Sequence, residues 1–416
     1  MRSPAASGWE SPVRVGVFGL LGSGNLGNDG SLEAVLGHLR AEHPEAVVDA
    51  LCGGPEAVTA RYGIPATRLH WYRGEYRTAS RAGAVAAKGL GKLVDAVRTA
   101  AWVRRHDVVI VPGMGVLEAT LPLRPWGFPY ALFLLCASGR LSRTRVALVG
   151  VGAGPIGSRP TRALVRWSAT LAAYRSYRDA QSRDAMRAMG VDTARDRVCP
   201  DLAFALPVPP PADAPPGLVC VGVMDFHGGD DDRAGAEEIH RRYLEGTTRF
   251  VRTLAEEGRP VRLVTGDACD APVAAAILDA VDSPLVTASD AHSLTGLMRD
   301  MAAADSVVAT RYHNLVCSLK TSTPTLALSY APKSDALMER MGLGAYCHPA
   351  REIDNAELLA QFRSLEKHAA ELRQTLAGRN QLAARQLRDH FSDVATALFP
   401  AADPTDTRAQ ALREAP

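Results

Sequence analysis

Three side chains that bind anions or transfer protons follow two neighbouring predicted strands. Arg311 and His313 come directly after the strand at 306–309, and Lys333 follows the strand at 325–329. A helix is predicted to begin just after His313, so its backbone N–H groups and dipole favour an anion there. A buried arginine requires a partner, and we expect an anionic ligand to be the partner of Arg311. The pattern predicts an anion site with a titratable acid beside it, and a core histidine is the alternative interpretation of His313.

A further cation ends a short predicted strand in the N-terminal half. The strand covers residues 175–178, and Asp179 caps the helix predicted at 180–189. Arg178 would therefore lie at the same kind of sheet edge as the cations above. A salt bridge to Asp179 is the alternative for this arginine, and the sequence leaves both open.

A polar, glycine-rich turn follows the first predicted strand. Residues 24–30, GNLGNDG, carry Asn25, Asn28 and Asp29. One such side chain is enough to cap a helix, so we interpret the set as a surface that hydrogen-bonds hydroxyl groups, as on a sugar. A dinucleotide site is the alternative, because residues 22–27 also fit GxGxxG. A second GxGxxG in the same half weakens that alternative, since a dinucleotide fold normally uses its first turn.

One aromatic residue lies in a proline-rich loop of the N-terminal half. The loop at 121–130, LPLRPWGFPY, carries Trp126. Aromatic faces stack on the apolar side of sugar rings, which favours a role in sugar binding. An anchor that fixes the loop to the core is an equally good interpretation.

The elements that must position these residues are short, apolar, β-branched strands alternating with helices. This pattern is typical of parallel sheets covered on both faces. Six prolines at 206–217 exclude regular structure there and divide the chain. We predict an α/β protein of two doubly wound parallel-sheet domains that face each other across a cleft. The first domain covers residues 13–205 and the second covers 218–400. A Pro-rich linker joins them at 206–217, and a disordered tail follows at 401–416. In such sheets ligands bind beyond the carboxyl ends of the strands.

Composition excludes several classes of partner. The 416 residues include 47 Lys+Arg and 45 Asp+Glu, a net charge of +2, so bulk charge does not select nucleic acid or an anionic membrane. The seven cysteines form no CxxC pair, and no Cys/His cluster has zinc spacing, so we expect buried thiols and no metal. Without a signal peptide or a run long enough to span a bilayer, we expect a cytoplasmic protein.

Seven segments in this order resemble the polysaccharide pyruvyl transferase family. They are the GNxG turn at 24–27, the strand with a glycine end at 107–115, the GxGP turn at 152–155, the RDxxS of 178–182, the DLAF of 201–204, the RxH of 311–313 and the SYxxK of 329–333. The resemblance spans roughly residues 14 to 345. Two departures lie in the first domain: Asn28 precedes Asp29 where the family commonly has acidic residues, and PGMG at 112–115 replaces a run of glycines. What they affect is the acceptor.

The resemblance implies a two-domain fold like that of the GT-B glycosyltransferases. It also implies phosphoenolpyruvate as the donor and co-substrate, with no cofactor, and a pyruvate ketal on a cell-surface glycan or its precursor as the product. The acceptor would be a sugar or glycan, in some members lipid-linked, with peripheral contact at the inner face of the membrane. On this chemistry the first domain is the acceptor side and the second is the donor side. We assign donor binding to Arg178, Arg311, Tyr312 and Lys333. We assign catalysis to His313 and Asp29, and acceptor binding to Asn25, Asn28 and Trp126.

Other functions share parts of this pattern. A nucleotide-sugar-dependent glycosyltransferase would have the same fold, but it normally carries an acidic residue for the ribose near the donor edge, where this chain has Arg311 and His313. An NAD-dependent oxidoreductase is the alternative that the glycine turns suggest. A protein that binds a sugar or anion without turnover would need the cations but not a titrating acid such as His313.

Overall fold

Two parallel sheets carry the structure. The computed structural model describes residues 12–71, 81–118 and 125–399. The first sheet has the strand order β3-β2-β1-β4-β5-β6-β7, and all its pairs are parallel. Its strands are β1 Arg14–Gly19, β2 Val47–Cys52, β3 Ala66–Arg68, β4 Val108–Pro112, β5 Arg145–Val151, β6 Tyr174–Tyr177 and β7 Arg197–Val198. The helices of this half are α1 Leu26–Glu42, α2 Pro55–Tyr62, α3 Arg81–Val103, α4 Phe128–Ser142, α5 Arg159–Leu171 and α6 Ala180–Ala188.

The second sheet has the order β10-β9-β8-β11-β12-β13 and is also parallel throughout. Its strands are β8 Val219–Val223, β9 Val261–Thr265, β10 Val286–Ala288, β11 Ser306–Ala309, β12 Thr325–Ser329 and β13 Cys347–Pro349. The remaining helices are α7 Ala236–Glu256, α8 Ala271–Val281, α9 Leu294–Ala303, α10 Tyr312–Lys320, α11 Pro332–Arg340, α12 Asn355–Lys367 and α13 Ala369–Leu398. Two doubly wound α/β domains are therefore confirmed.

The central strands are buried from end to end, which explains their near-continuous apolar sequences. Every residue of β4 and β8 is buried, because helices cover both faces of each sheet. The strands that the sequence did not indicate, β3, β7, β10 and β13, are two or three residues long. Such short segments carry too few residues for a periodic pattern.

The C-terminal part of the last helix contacts the first domain, although the sequence pattern groups the whole helix with the second. Its N-terminal part stays with the second domain, where the Asn380 amide donates to the Leu319 carbonyl at 2.9 Å. The Arg145 guanidinium of β5 donates to the Leu398 carbonyl at 3.0 Å, and the His390 ring lies 3.2 Å from the Ser176 hydroxyl of β6. Burial lowers the pKa of His390 to about 4, so this contact holds a neutral imidazole. Residues 206–217 are extended and join the domains, and the tail at 401–416 lies outside the described residues. No helix in the described residues is long and apolar enough to cross a membrane.

Candidate active site in the interdomain cleft

The carboxyl ends of the two sheets face each other, and their loops meet in the middle of the cleft. The Leu26 N–H donates to the Gly266 carbonyl at 3.1 Å, and the Ala268 N–H donates to the Gly24 carbonyl at 3.3 Å. We call this contact between 24–27 and 266–268 the seam. It divides the cleft into two halves, because the loops after β1 and β9 form it. In the sheet order β2 and β10 lie to one side of these strands, and β4 and β11 lie to the other.

The polar side chains of the GNLGNDG turn have protein partners. The Asn25 side chain caps α1 by accepting from the Gly27 and Asn28 N–H groups, and its amide donates to Asp267 across the seam at 2.8 Å. The Asn28 amide donates to the Leu20 carbonyl at 3.2 Å. Both side chains thus position the turn, and acceptor binding by Asn25 and Asn28 stays a prediction.

Glycine at position 27 is required by a close approach of the two domains. A Cβ atom there would lie 1.9 Å from Nδ1 of His313, which is far inside van der Waals contact. The glycines of this turn therefore make room for the second domain, a role that the sequence pattern does not indicate.

On the α2 side of the seam lies a cavity of about 270 Å³, which we call the side pocket. Its polar lining comes from both domains, with Asp29, Arg61 and Tyr62 on one wall and Asp267 and His292 on the other. Asp29 accepts the Gly22 N–H at 2.7 Å. Burial raises the pKa of the Asp29 carboxyl, and the hydrogen bond from Gly22 offsets part of that rise.

On the other side of the seam, ionisable groups from both domains form a charged cluster, which comprises Glu118, Arg178, Asp201, Tyr312, His313 and Lys333. Glu118 joins its two halves: the Arg178 guanidinium donates to one carboxylate oxygen, and the Lys333 ammonium donates to the other at 2.8 Å. Burial alone would raise the pKa of Glu118, but the charges of Arg178 and Lys333 lower it to about 2. Glu118 is therefore ionised at neutral pH and pairs one cation from each domain.

Asp201 carries the second negative charge of the cluster. Its carboxylate lies 3.7 Å from Nε2 of His313 and 3.8 Å from Nη1 of Arg178. Burial raises the pKa of Asp201, and the contacts with His313 and Arg178 outweigh it and bring the value to about 2. An ionised carboxylate facing the imidazole supplies the counter-ion that a proton-donating histidine requires.

Tyr312 forms an aromatic wall of the cluster. The Arg178 guanidinium lies 4.6 Å from its ring centroid, and the Lys333 ammonium lies 5.9 Å from it. The ring is 4% exposed, and its hydroxyl group has no hydrogen-bond partner among the described residues. Burial raises the pKa of Tyr312, so the phenol stays neutral and can donate a hydrogen bond.

Gly152 of the GxGP turn makes room for the ion pair. A Cβ atom there would lie 2.3 Å from the Glu118 carboxylate and 2.7 Å from the Arg178 guanidinium. This turn therefore serves a close contact between side chains in the first domain.

Arg311 lies apart from these ion pairs, and its partner is a carboxylate of the protein where we expected an anionic ligand; donor binding by Arg311 stays a prediction. Its Nε and Nη2 atoms donate to the two oxygens of Asp270 at 2.8 and 2.5 Å. Asp270 is fully buried, so the bidentate pair is part of the protein's own structure. The Arg178 alternative, a salt bridge to Asp179, is present only as a loose 3.7 Å contact.

Trp126 is 64% exposed, and its ring contacts Tyr130 edge-on at 5.8 Å. Residues 121–124 of its loop lie outside the described residues. Neither the acceptor role nor the anchor role is decided by this contact, and the acceptor role stays a prediction.

Sequence reasoning missed three carboxylates that organise the site. Asp201 was noted only within a family motif, and Glu118 and Asp270 were not singled out. Glu118 follows the PGMG turn at 112–115, and a carboxylate just beyond a glycine turn at a strand end was the available signal.

A two-domain α/β protein whose sheets meet at their carboxyl ends is a protein of the GT-B fold. Residues 25–332 match the family model for polysaccharide pyruvyl transferase, and the chain belongs to this family. The family name denotes a transferase of polysaccharide biosynthesis. No curated protein matches the chain significantly.

Solved structures share the fold at low sequence identity. A putative UDP-N-acetylglucosamine 2-epimerase from Listeria monocytogenes is 13% identical, with a TM-score of 0.59 over 92% of this chain and 98% of the other. The UDP-GlcNAc 2-epimerase from Neisseria meningitidis, bound to UDP-GlcNAc, is 10% identical, with a TM-score of 0.56 over 90% and 99%. Anabaena HepE in complex with UDP-glucose is 12% identical, with a TM-score of 0.55 over 92% and 99%. The similarity to all three is one of fold.

Proposed function

We propose that this protein transfers the pyruvyl group of phosphoenolpyruvate to two hydroxyl groups of a sugar, forming a pyruvate ketal on a cell-envelope glycan or its precursor. One observation carries the proposal. In a chain of this family, His313 and Lys333 from the second domain meet Arg178 of the first at the carboxyl ends of both sheets. An acid and two cations are what this donor requires.

The donor would bind in the charged cluster. Phosphoenolpyruvate carries a phosphate and a carboxylate, and a guanidinium fork binds either group through paired oxygens. Because Glu118 already occupies Arg178 and Lys333, the donor competes with that carboxylate for both cations. Arg311 can contribute through the Nη1 side of its fork, since Asp270 occupies Nε and Nη2.

His313 would act as the general acid. It gives a proton to the methylene carbon, and the electron pair of the double bond forms the new C–H bond. The carbon that bears the phosphate becomes an oxocarbenium ion, which one sugar hydroxyl attacks. That hydroxyl gives its proton back to His313, the bond between the carbon and the phosphate oxygen breaks, and a second hydroxyl adds to the same carbon to close the ketal. The proton of the second hydroxyl leaves with inorganic phosphate. Asp201, ionised 3.7 Å from the imidazole, would supply the counter-charge to the protonated ring before transfer.

The acceptor would enter from the side pocket. Its cavity of about 270 Å³ is large enough for one sugar ring, and it borders the seam, where Gly27 lies against His313. Asp29 would accept a hydrogen bond from an acceptor hydroxyl. A lipid-linked acceptor would bring the protein to the inner face of the membrane.

Calorimetry with phosphoenolpyruvate tests the donor site. We expect wild-type protein to bind and Lys333→Ala to lose at least about tenfold in affinity, the effect of removing a charged hydrogen bond. Lys367→Ala, which removes an exposed lysine of α12, should bind normally. With a panel of sugar acceptors, phosphate release should accompany a ketal methyl signal in the product NMR spectrum. No binding by the wild type would overturn the proposal.

UDP-sugars are the second candidate donors, because the Neisseria and Anabaena structures named above contain UDP-GlcNAc and UDP-glucose. The same calorimetry with UDP-GlcNAc decides between them. Binding of UDP-GlcNAc without binding of phosphoenolpyruvate would favour glycosyl transfer.

A further inference from the structure

Outside the charged cluster, one aspartate and two histidines converge at the carboxyl end of β8. Asp225 and His227 follow that strand, and His240 lies in the second turn of α7. Their ligand atoms all lie within 4.8 Å of one another. We propose that Asp225, His227 and His240 bind a divalent first-row transition metal ion of the zinc class.

The local sequence directs the first two side chains to the same place. Phe226, between them, is 1% exposed and packs edge-on against Tyr243 at 5.6 Å. In an extended segment, alternate residues point to opposite sides, so burial of Phe226 places Asp225 and His227 together on the outer side. Gly228, with φ of +83°, then turns the chain away.

The distances between the donor atoms match those of a metal site. Nε2 of His227 lies 2.9 Å and Nδ1 of His240 lies 3.4 Å from the same oxygen of Asp225. Two ligands each about 2.05 Å from a zinc ion are separated by roughly 2.9 Å at a right angle and roughly 3.4 Å at the tetrahedral angle. The two imidazole rings are stacked at 4.3 Å with an interplanar angle of 10°. Because the lone pair of an imidazole nitrogen lies in the ring plane, one ring must turn for both nitrogens to bind the same ion.

One of these nitrogens lacks a partner. Nδ1 of His240 is inaccessible to solvent and forms no hydrogen bond with any described residue. Hydrogen bonding within the trio therefore leaves a buried donor or acceptor unsatisfied, which costs free energy. A cation between the three atoms would take the lone pairs of both imidazoles and balance the carboxylate.

The site is open and linked to Arg311. All three side chains are between 23% and 39% exposed, so a fourth position would face solvent and take water or an oxyanion. The Asp225 N–H donates to Asp270 at 2.9 Å, and Asp270 in turn pairs with Arg311. The metal ion would thus extend the positive edge of the second sheet. This inference does not rest on the proposed transfer reaction.

Zinc binding to the untagged chain, stripped with EDTA, tests the site. Calorimetry should give one equivalent of Zn²⁺ for the wild type, and His240→Ala and His227→Gln should each lose at least about tenfold in affinity. Co²⁺ should give d–d absorption bands that both variants lack. Thermal unfolding without metal verifies folding, and Asp225→Asn serves if His240→Ala does not fold.

Two controls address other zinc ligands. His70→Ala removes a histidine that lies 3.2 Å from Asp95, a pair without a third ligand among the described residues, and should bind zinc normally. Cys269→Ser removes the exposed thiol near Arg311 and should also bind normally. Less than one equivalent in the wild type, or unchanged affinity in His240→Ala or His227→Gln, would overturn the proposal, as would loss of binding in Cys269→Ser alone.

Discussion

The two halves of the cleft differ in what they offer a ligand. The charged cluster holds an acid and two cations, but Glu118 already pairs both cations, and four of the six residues are buried while His313 and Lys333 are partly exposed. The side pocket has a cavity of about 270 Å³, yet its polar groups are spread over two walls, with one loose salt bridge of 3.8 Å between Arg61 and Glu33. Reactive groups and open space therefore lie on opposite sides of the seam.

This difference indicates a division of work. A small, dense anion can replace a carboxylate in a tight cluster, whereas a sugar requires room and scattered hydrogen-bonding groups. The seam between them contains Gly24 and Gly27, whose lack of a side chain lets the two domains approach closely. Four predictions test whether the halves differ as this comparison requires.

The largest effect is expected for His313→Gln. Removing the proton donor should lower kcat for ketal formation by about 10² to 10⁴ with little change in phosphoenolpyruvate affinity. His292→Gln changes the histidine of the side pocket and should lower kcat less than about tenfold. Steady-state kinetics with a working acceptor checks both, and equal losses would remove the distinction between the halves.

Glu118→Gln should lower the stability of the protein and raise its affinity for the donor. A buried carboxylate that pairs two cations is lost, so the free energy of unfolding should fall by about 3 kcal/mol, as measured by urea denaturation. The donor no longer competes with a charge, so calorimetry should show tighter binding of phosphoenolpyruvate. The matched change beside the side pocket, Glu33→Gln, breaks a partly exposed pair and should cost about 1 kcal/mol or less. Weaker donor binding in Glu118→Gln would contradict the assignment.

Gly27→Ala tests the seam itself. The new methyl group would collide with His313, so we expect a loss of about 1–3 kcal/mol in stability together with lower activity. Gly37 lies in the same helix, and a Cβ atom there would have nothing within 4 Å, so Gly37→Ala should stabilise by about 0.5–1 kcal/mol. Thermal melting of the pair, with kinetics, decides, and a harmless Gly27→Ala would mean that the domains are not held this close.

The smallest effect is a difference in pH dependence. The pKa of Glu118 is lowered from 4.5 to about 2, so its stabilisation is complete above 4.5 and is lost as pH falls toward 2. The pKa of Asp29 is raised above 3.8, so protonation stabilises the folded state and its contribution has the opposite sign. Between about pH 5 and about pH 3, the unfolding free energy of Glu118→Gln should fall less than that of wild type. The unfolding free energy of Asp29→Asn should fall slightly more than that of wild type over the same range.

The strand ends of the cluster could be predicted from the sequence because their signals are local. His313 and Lys333 each follow an apolar run that is long enough to recognise, and Arg178 is marked by the Asp179 helix cap that follows it. The partners could not be predicted in the same way. Glu118 and Lys333 are 215 positions apart, and only the packing of two domains brings them together.

Arg311 shows a second limit. Its partner, Asp270, is 41 positions away in a short 3-10 helix, Ala268–Asp270, which no periodic pattern indicates. The sequence therefore supported a correct requirement for a partner and a wrong identity for it. The proximity of Asp225, His227 and His240 could not be predicted for a related reason. The spacing of cysteines and histidines does not reveal a carboxylate that lies between histidines from two elements.

The return of α13 to the first domain restricts how the cleft can open. Within residues 12–399 the main chain passes between the domains at 206–217 and again inside α13. The second crossing lies between Asn380, which donates to the Leu319 carbonyl of the second domain, and His390, which contacts Ser176 of the first. The two crossings define an axis. A rotation of one domain about this axis distorts the main chain at neither crossing. Substrate entry should then require rotation of one domain about this single axis. Distances measured between two pairs of labels across the cleft should therefore increase and decrease together.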